Sequence, residues 1–188
     1  MDNSKAGSGS EPEIIERSRA YWSQRAKEYS ALHDASRHQE LRDAFRKLLR
    51  GFMPRDKGPH GQRRTRALDV GCGSGFMSLI LAELGCDVTA VDFSRDMLDE
   101  AKRNAARAGA ASIEFVQADV QRLAFEEGSF DMAVSRNVLW VLPDAAAAYA
   151  GAFRALRPGG VLVAFDANYG SAFNAAAAGG PRARASHP

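Results

Sequence analysis

The strongest structural signal in this chain lies in the stretch Leu68-Asp69-Val70-Gly71-Cys72-Gly73-Ser74-Gly75. A buried strand is predicted to end at Val70, and the apolar run Phe76 to Leu81 predicts the start of a helix. A glycine turn between a strand and a helix places backbone N–H groups and the positive end of the helix beside a ligand. The stretch therefore predicts a loop that binds a nucleotide or another cofactor.

An aspartate follows the next predicted strand. Asp92 comes 21 residues after Gly71 (92 − 71), at the end of the apolar run Val88-Thr89-Ala90-Val91. A carboxylate at this place in a parallel sheet binds the hydroxyls of a ribose. The dinucleotide fingerprint G-x-G-x-x-G requires a glycine where this chain has Phe76, and a P-loop requires Gly-Lys-Ser/Thr after the turn. A nicotinamide dinucleotide site is therefore disfavoured, and no P-loop is present.

Further segments continue this pattern in order along the chain. They are Ser94-Arg95-Asp96-Met97-Leu98, Phe115-Val116-Gln117-Ala118-Asp119, Phe130 to Ser135 and Leu156 to Leu162. With the glycine turn and Asp92, they resemble the class I S-adenosylmethionine-dependent methyltransferases over roughly residues 66–168. The resemblance implies an α/β, Rossmann-like, doubly wound and mostly parallel sheet. It also implies S-adenosylmethionine as cofactor and a small-molecule acceptor, as in the quinone-, lipid- and metabolite-methylating branch.

The resemblance also implies which residues hold the cofactor. The glycine turn would contact its amino-acid end, Asp92 the ribose and Asp119 the adenine amino group. The residues so assigned are Tyr29, Asp69, Gly71, Cys72, Gly73, Ser74, Gly75, Asp92, Phe93, Met97, Asp119, Val120 and Ser135. No catalytic residue is predicted, because the cofactor itself activates the methyl group and a base is needed only when the acceptor must lose a proton.

Strands and helices are predicted to alternate along the chain. Helical spacing covers 12–32 and 39–52, ahead of a glycine- and proline-containing stretch at 54–62. Strands are predicted near 66–70, 87–91, 113–117, 130–135 and 160–166, and helices near 75–84, 94–108 and 144–156. We expect a disordered N-terminus over 1–11, a methyltransferase domain over 12–168 and a low-complexity, disordered tail over 169–188. Within the domain, residues 12–53 would form a helical lid and residues 66–168 the cofactor-binding core.

Aromatic residues mark the first predicted helix. Tyr21, Trp22 and Tyr29, with Arg25 nearby, are typical of an amphipathic helix that packs its apolar stripe on the domain. The resemblance adds a second interpretation, in which this helix closes over the cofactor and its aromatic rings line the cavity. Aromatic faces favour soft cations such as a sulfonium.

The segment Ser135-Arg136-Asn137-Val138 follows the fourth predicted strand, where the acceptor would lie. It lacks the prolines that nucleic-acid amino-methyltransferases carry there, which disfavours a DNA base as acceptor. Arg136 and Asn137 could orient a polar or anionic small molecule. A purely structural role for this turn is equally compatible with the sequence.

Composition argues against several other classes of protein. The 25 basic and 23 acidic side chains leave a net charge of +2, too little to draw the chain to nucleic acid or to a membrane. Two cysteines provide no disulfide framework and no four-cysteine zinc site. The basic cluster Arg55 to Arg66 is interpreted as a solvated loop. We expect a cytoplasmic enzyme without a metal.

The end of the chain departs from the family pattern. The family adds a helix and an antiparallel strand pair after the fifth strand, which gives seven strands. The 22 residues after Asp166 (188 − 166) predict no such pair. The fifth strand is then expected at the edge of the sheet, where it could associate with a second copy. A truncated, non-catalytic module that binds S-adenosylmethionine stays open beside the enzyme.

Overall fold

The computed structural model describes residues 11–32, 38–54 and 63–166. The helices in these ranges are α1 (Glu11–Leu32), α2 (Gln39–Phe52), α3 (Phe76–Glu83), α4 (Arg95–Arg107) and α5 (Ala145–Ala155). The strands are β1 (Arg66–Val70), β2 (Asp87–Asp92), β3 (Ile113–Gln117), β4 (Phe130–Arg136) and β5 (Leu156–Phe165). Two short 3₁₀ helices, Val120–Arg122 and Leu139–Val141, follow β3 and β4.

The strands form one sheet in the order β3-β2-β1-β4-β5, and every neighbouring pair is parallel. β1 lies between β2 and β4, so that Val70 pairs with Val91 on one side and Ser135 on the other. The chain therefore runs outward from β1 in one direction and then returns to build β4 and β5 in the other. This is the predicted Rossmann-like fold, and such a sheet binds ligands at the carboxyl ends of the strands where the direction changes.

Both faces of the sheet are covered by helices. Because side chains alternate along a strand, Ala67 packs in the cluster that contains Ile80 of α3 and Leu49 of α2. Leu68 points to the opposite face and packs in the cluster that contains Ala152 of α5. Burial on both faces explains why the strands are nearly continuous apolar runs.

The two N-terminal helices occupy different places. α1 lies beside α4, where Ser23 Oγ is 2.9 Å from Ser94 Oγ. α2 packs against α3 and buries Leu49 completely. The sequence predicted one lid over residues 12–53, whereas α2 belongs to the layer that covers the sheet.

The predicted element bounds agree with the structure to within one residue, except at β5. This strand was predicted near 160–166 but begins at Leu156. Phe130 of β4 pairs with Leu156 and Met132 pairs with Val161, so β5 bulges between these two pairs. Pro158, Gly159 and Gly160 lie in this bulge. These residue types usually indicate a turn, but here they lie inside a strand.

Most of the predictions for the two ends of the chain and for the stretch 54–62 concern residues that the structure does not describe. Glu11 is the first residue of α1, so the prediction of disorder over 1–11 is wrong at that residue. The rest of that segment, the tail at 169–188 and most of the stretch 54–62 lie outside the described residues.

The amino end of the sheet contains a buried ionic centre. Asp131 of β4 has 1% of its side chain exposed, and its Oδ1 accepts hydrogen bonds from Arg63 and Arg157, each at 2.6 Å. Its Oδ2 accepts the Arg66 N–H at 2.8 Å. Burial acts to raise the pKa of Asp131, but these hydrogen bonds outweigh it and lower the pKa below its usual value. Arg63 and Arg66 are thus ion-pair partners of Asp131, although 42% and 44% of their side chains stay exposed to solvent.

Candidate active site

A cleft opens at the carboxyl ends of the strands, where β1 lies between β2 and β4. The cleft has about 750 Å³ of empty space when the part open to solvent is counted. α1 supplies one wall through Ile15, Ser18, Trp22 and Tyr29. The other walls are Gly71, Gly73, Asp92, Phe93, Met97, Asp119, Val120, Gln121, Arg136, Asn137, Val138, Val141, Leu142 and Pro143.

The glycine turn shapes the floor of the cleft. Gly71 has φ +71°, and a Cβ there would lie 2.5 Å from Val138 Cγ2, so no larger residue fits. Gly73 has φ +52°, and a Cβ there would meet only the Tyr29 ring, at 3.6 Å. The backbone at Gly73 is therefore open to the cleft, and a ligand can approach it closely.

Asp92 stands beside this open backbone. It is 6% exposed and accepts the N–H groups of Gly73 and Ser94, both at 2.9 Å. Burial raises the pKa of Asp92 to about 6, against the effect of these backbone hydrogen bonds. A carboxylate has about four lone-pair directions, so Asp92 can still accept hydrogen bonds from a ligand.

The space between the ends of β2 and β3 is apolar with an acid at its rim. Phe93, Met97 and Val120 provide the apolar surfaces. Asp119 accepts the N–H of Gln121 at 3.0 Å and so caps the first 3₁₀ helix. This arrangement suits a flat heterocycle that carries an amino group.

Several predicted site residues are buried behind these walls. They are Asp69, Cys72, Ser74, Gly75 and Ser135. Ser74 supports the turn, because its carbonyl accepts a hydrogen bond from Asn104 Nδ2 at 2.8 Å. Asp69 accepts a hydrogen bond from Ser78 Oγ, and burial raises its pKa to about 7. Ser135 Oγ is buried and has no hydrogen-bond partner within the described part of the chain.

The sequence of this region matches a known family. Residues 68–164 match the methyltransferase domain family. The chain belongs to this family. The described residues of this methyltransferase domain hold no cluster of His, Cys, Asp and Glu that could bind a metal ion. None of the helices described above is long and apolar enough to cross a membrane.

Two curated relatives illustrate the similarity. The domain is 34% identical over 125 residues to malonyl-(acyl-carrier protein) O-methyltransferase of Enterobacter lignolyticus, covering 66% of this chain and 45% of the relative. It is 33% identical over 143 residues to ubiquinone biosynthesis O-methyltransferase of Methylocella silvestris, covering 74% of this chain and 56% of the relative. The chain thus spans about half the length of these relatives.

One solved structure has a similar fold but is named as a cyclase and not as a methyltransferase. The crystal structure of the (4+2)-cyclase SpnF is 27% identical, with a TM-score of 0.56 over 64% of this chain and 43% of that chain. A fold alone does not establish a reaction.

The aromatic residues of α1 separate into two groups. Trp22 and Tyr29 line the cleft and meet edge-to-face, with their ring centroids 5.6 Å apart. Tyr21 is 50% exposed and lies under the guanidinium of Arg25, 5.3 Å from its ring centroid. α1 therefore presents two aromatic rings to the cleft, while the third lies on its outer side.

The end of β4 and the segment after it contribute more residues to the cleft than the sequence predicted. Arg136, Asn137, Val138, Val141, Leu142 and Pro143 all line it. Asn137 has φ +57° and donates its N–H to the Phe165 carbonyl at 2.8 Å, which turns the chain sharply after β4. β4 is the strand with which the sheet starts to grow in the second direction, and ligands bind where this change occurs. The position of residues 136–143 at the end of this strand is therefore a sequence signal that could have identified the whole segment. Ile15, Ser18 and Gln121 carried no such signal.

Proposed function

We propose that this methyltransferase domain binds S-adenosylmethionine in the cleft and transfers the methyl group to a small-molecule acceptor. The observation that carries the proposal is the buried Asp92 carboxylate beside the open backbone of Gly73. Family membership supports methyl transfer, and both relatives described above are named O-methyltransferases.

The cleft residues fit this cofactor by their chemistry. Asp92 would accept hydrogen bonds from the ribose hydroxyls, and Gly73 would leave room for the amino-acid end. Phe93, Met97 and Val120 would enclose the adenine, with Asp119 accepting from its amino group. The faces of Trp22 and Tyr29 would favour the positive sulfonium. The remaining assigned residues, Asp69, Gly71, Cys72, Ser74, Gly75 and Ser135, would hold the turn and the strand ends in place.

When bound, the cofactor supplies a methyl group that its sulfonium already activates. The protein then has to bind the two reactants, align them and exclude water. Holding reacting atoms about 3–3.5 Å apart in line accounts for much of the acceleration in such reactions. We propose that α1 closes one side of the cleft for this purpose and that the segment 136–143 positions the acceptor.

Calorimetry tests the binding step. We expect S-adenosylmethionine to bind and NAD not to bind; the reverse result would overturn the proposal. Transfer of a labelled methyl group to a fractionated metabolite extract tests the chemistry. Tight binding without transfer to any fraction would favour the alternative of a non-catalytic binding module.

A matched pair of glycine variants tests the place of binding. Gly73 and Gly85 both have positive φ, and a Cβ at Gly85 would meet no atom within 4 Å. Ala at either position costs roughly 1–2 kcal/mol of backbone strain. Only Gly73→Ala should also weaken the affinity for S-adenosylmethionine, because its methyl group points towards the cleft. Equal affinities of Gly73→Ala and Gly85→Ala would place the ligand elsewhere.

We also propose that β5 pairs with a second copy of this chain. Within the described residues β5 pairs as a strand with β4 alone, so its other edge is unpaired in that part of the chain. Light scattering should show association, and Ala164→Lys should weaken it by placing a charge at the exposed end of this strand. A wild-type monomer across the concentration range would refute this pairing.

A further inference from the structure

Arg136 is the one lysine or arginine among the described residues that line the cleft. It is the last residue of β4, on the far side of β1 from β2 and β3. Of the acids that line the cleft, Asp92 is the last residue of β2 and Asp119 follows β3. Since neighbouring strands are about 4.8 Å apart, roughly 10 Å separates the ends of β2 and β4. The cleft is therefore acidic at one end and cationic at the other.

Aromatic rings hold the Arg136 guanidinium in place. Its central carbon lies over the Phe76 ring, 4.7 Å from the centroid, and over the Phe45 ring at 5.5 Å. Phe45 is itself fixed edge-to-face against Phe165, with centroids 5.0 Å apart. A ring face attracts the charge but is a poor acceptor for the N–H groups. No carboxylate or carbonyl in the described ranges accepts a hydrogen bond from this guanidinium.

Two acids lie near Arg136. Asp166 follows Phe165, the residue with which Arg136 pairs, and its carboxylate accepts the N–H groups of Val138 and Leu139. Asp69 attracts Arg136, yet its carboxyl is bonded to Ser78 Oγ and buried in the sheet. Burial raises the pKa of Asp69 to about 7, so near neutral pH it carries only part of a charge. The donors of Arg136 thus stay available to a ligand.

We propose that the acceptor carries a carboxylate or phosphate group, which Arg136 binds at the β4 end of the cleft. A guanidinium donates two parallel N–H bonds to either group, which orients the ligand as well as binding it. The acids at the β2 and β3 ends would repel such a group from the proposed cofactor site. This inference rests on the proposed function, since it names the class of acceptor for the same cleft.

Binding of small probes tests the inference without a known acceptor. The chain is loaded with S-adenosylhomocysteine and titrated, by calorimetry and by chemical-shift changes, with benzoate, phenyl phosphate and the neutral analogue benzamide. We expect at least one anion to bind more tightly than benzamide. Its affinity should fall at least about tenfold in Arg136→Met and by less in Arg136→Lys, which keeps the charge but loses the paired donors. Which anion binds more tightly distinguishes carboxylate from phosphate.

Controls separate this result from a loss of folding and from the proposed function. Arg25→Met removes another arginine that lies over an aromatic ring but does not line the cleft, and should leave anion binding unchanged. Affinity for S-adenosylhomocysteine should be the same in Arg136→Met and wild type, which shows that the cleft is intact. Anions that bind no better than benzamide, or equally well to Arg136→Met, would overturn the inference. The same titrations without S-adenosylhomocysteine keep the anion result readable if that compound fails to bind, a failure that counts against the proposed function alone.

Discussion

The two ends of the sheet each bury an aspartate, and the two carboxylates are held in opposite ways. At the amino end, Asp131 is surrounded by the cationic side chains of Arg63 and Arg157 and by the Arg66 N–H, and its pKa is lowered. At the carboxyl end, Asp92 receives backbone N–H groups and its pKa is raised to about 6. The lowered pKa of Asp131 means that the folded chain favours its negative charge, whereas the raised pKa of Asp92 means that the folded chain disfavours its charge. A buried carboxylate that lacks a cationic partner is a candidate for binding a ligand.

The largest effect is expected from Asp131→Asn. This change keeps the size of the side chain but removes its charge and replaces one of its two acceptor oxygens by an NH₂ donor, so the three arginines lose their common anionic partner. Removal of one partner of a buried ion pair is strongly destabilising, and because these arginines are partly exposed we expect the free energy of unfolding to fall by about 2–3 kcal/mol. Denaturant titration measures this loss. Affinity of the folded variant for S-adenosylmethionine should stay the same; a parallel loss of affinity would mean that the two ends are not independent.

Replacement of the aspartate at the carboxyl end of the sheet by asparagine should affect cofactor binding more than stability. We expect Asp92→Asn to weaken binding of S-adenosylmethionine by about 1.5–3 kcal/mol, the scale of hydrogen bonds to a charged group. Its effect on unfolding should be smaller than that of Asp131→Asn, since no cation loses a partner. Calorimetry and denaturation of both variants under one condition give the comparison. A stability loss as large as that of Asp131→Asn, with affinity unchanged, would make Asp92 a structural residue.

The pH dependence of stability should separate the two ends. Burial raises the folded pKa of Asp69 to about 7 and of Asp92 to about 6, from 3.8. The folded chain therefore binds more protons than the unfolded chain between about pH 4 and 7, and its stability should fall as pH rises through this window. Asp131 acts in the other direction, because its lowered pKa stabilises the fold above about pH 4 and this contribution is lost on further acidification.

Denaturation at intervals from pH 4 to 8 checks this sign. Asp92→Asn should flatten the fall between about pH 4 and 6, by roughly 1–3 kcal/mol, since one pKa unit corresponds to 1.36 kcal/mol. Profiles of wild type and variant that run parallel would show that Asp92 ionises normally in the folded protein.

The smallest effect is expected from Asp119→Asn. Asp119 lines the cleft, but it also accepts hydrogen bonds from Gln121 and caps a 3₁₀ helix, a task that asparagine performs equally well. Stability should therefore hardly change. Affinity for S-adenosylmethionine should fall by about 1 kcal/mol or less, as for a single neutral hydrogen bond. If calorimetry finds that Asp119→Asn loses as much affinity as Asp92→Asn, then Asp119 contributes as much as Asp92 to binding S-adenosylmethionine.

Local patterns in the sequence were sufficient for the elements other than β5 and for placing the glycine turn and Asp92 at the cleft. Strand and helix bounds follow from runs of apolar residues, because parallel strands covered on both faces must be apolar along their length. The glycine turn and Asp92 follow from spacing, since a strand, a turn and a helix are contiguous in the chain. Tyr29 was assigned through the resemblance to a family, and it lines the cleft. The start of β5 was wrong, because Pro158 and two glycines are compatible with both a turn and a bulge.

Tertiary structure alone decided which distant side chains meet. Asp131 and Arg63 are 68 positions apart, and no periodicity links them. Arg136 lies over Phe76 and Phe45 because α2 and α3 cover the same face of the sheet towards which Arg136 points. The sequence contains the charges and the rings, but packing sets their distances and burial. Distance and burial determine whether a carboxylate stabilises the fold or remains free for a ligand, which is why the contrast between Asp131 and Asp92 appears only in the folded chain.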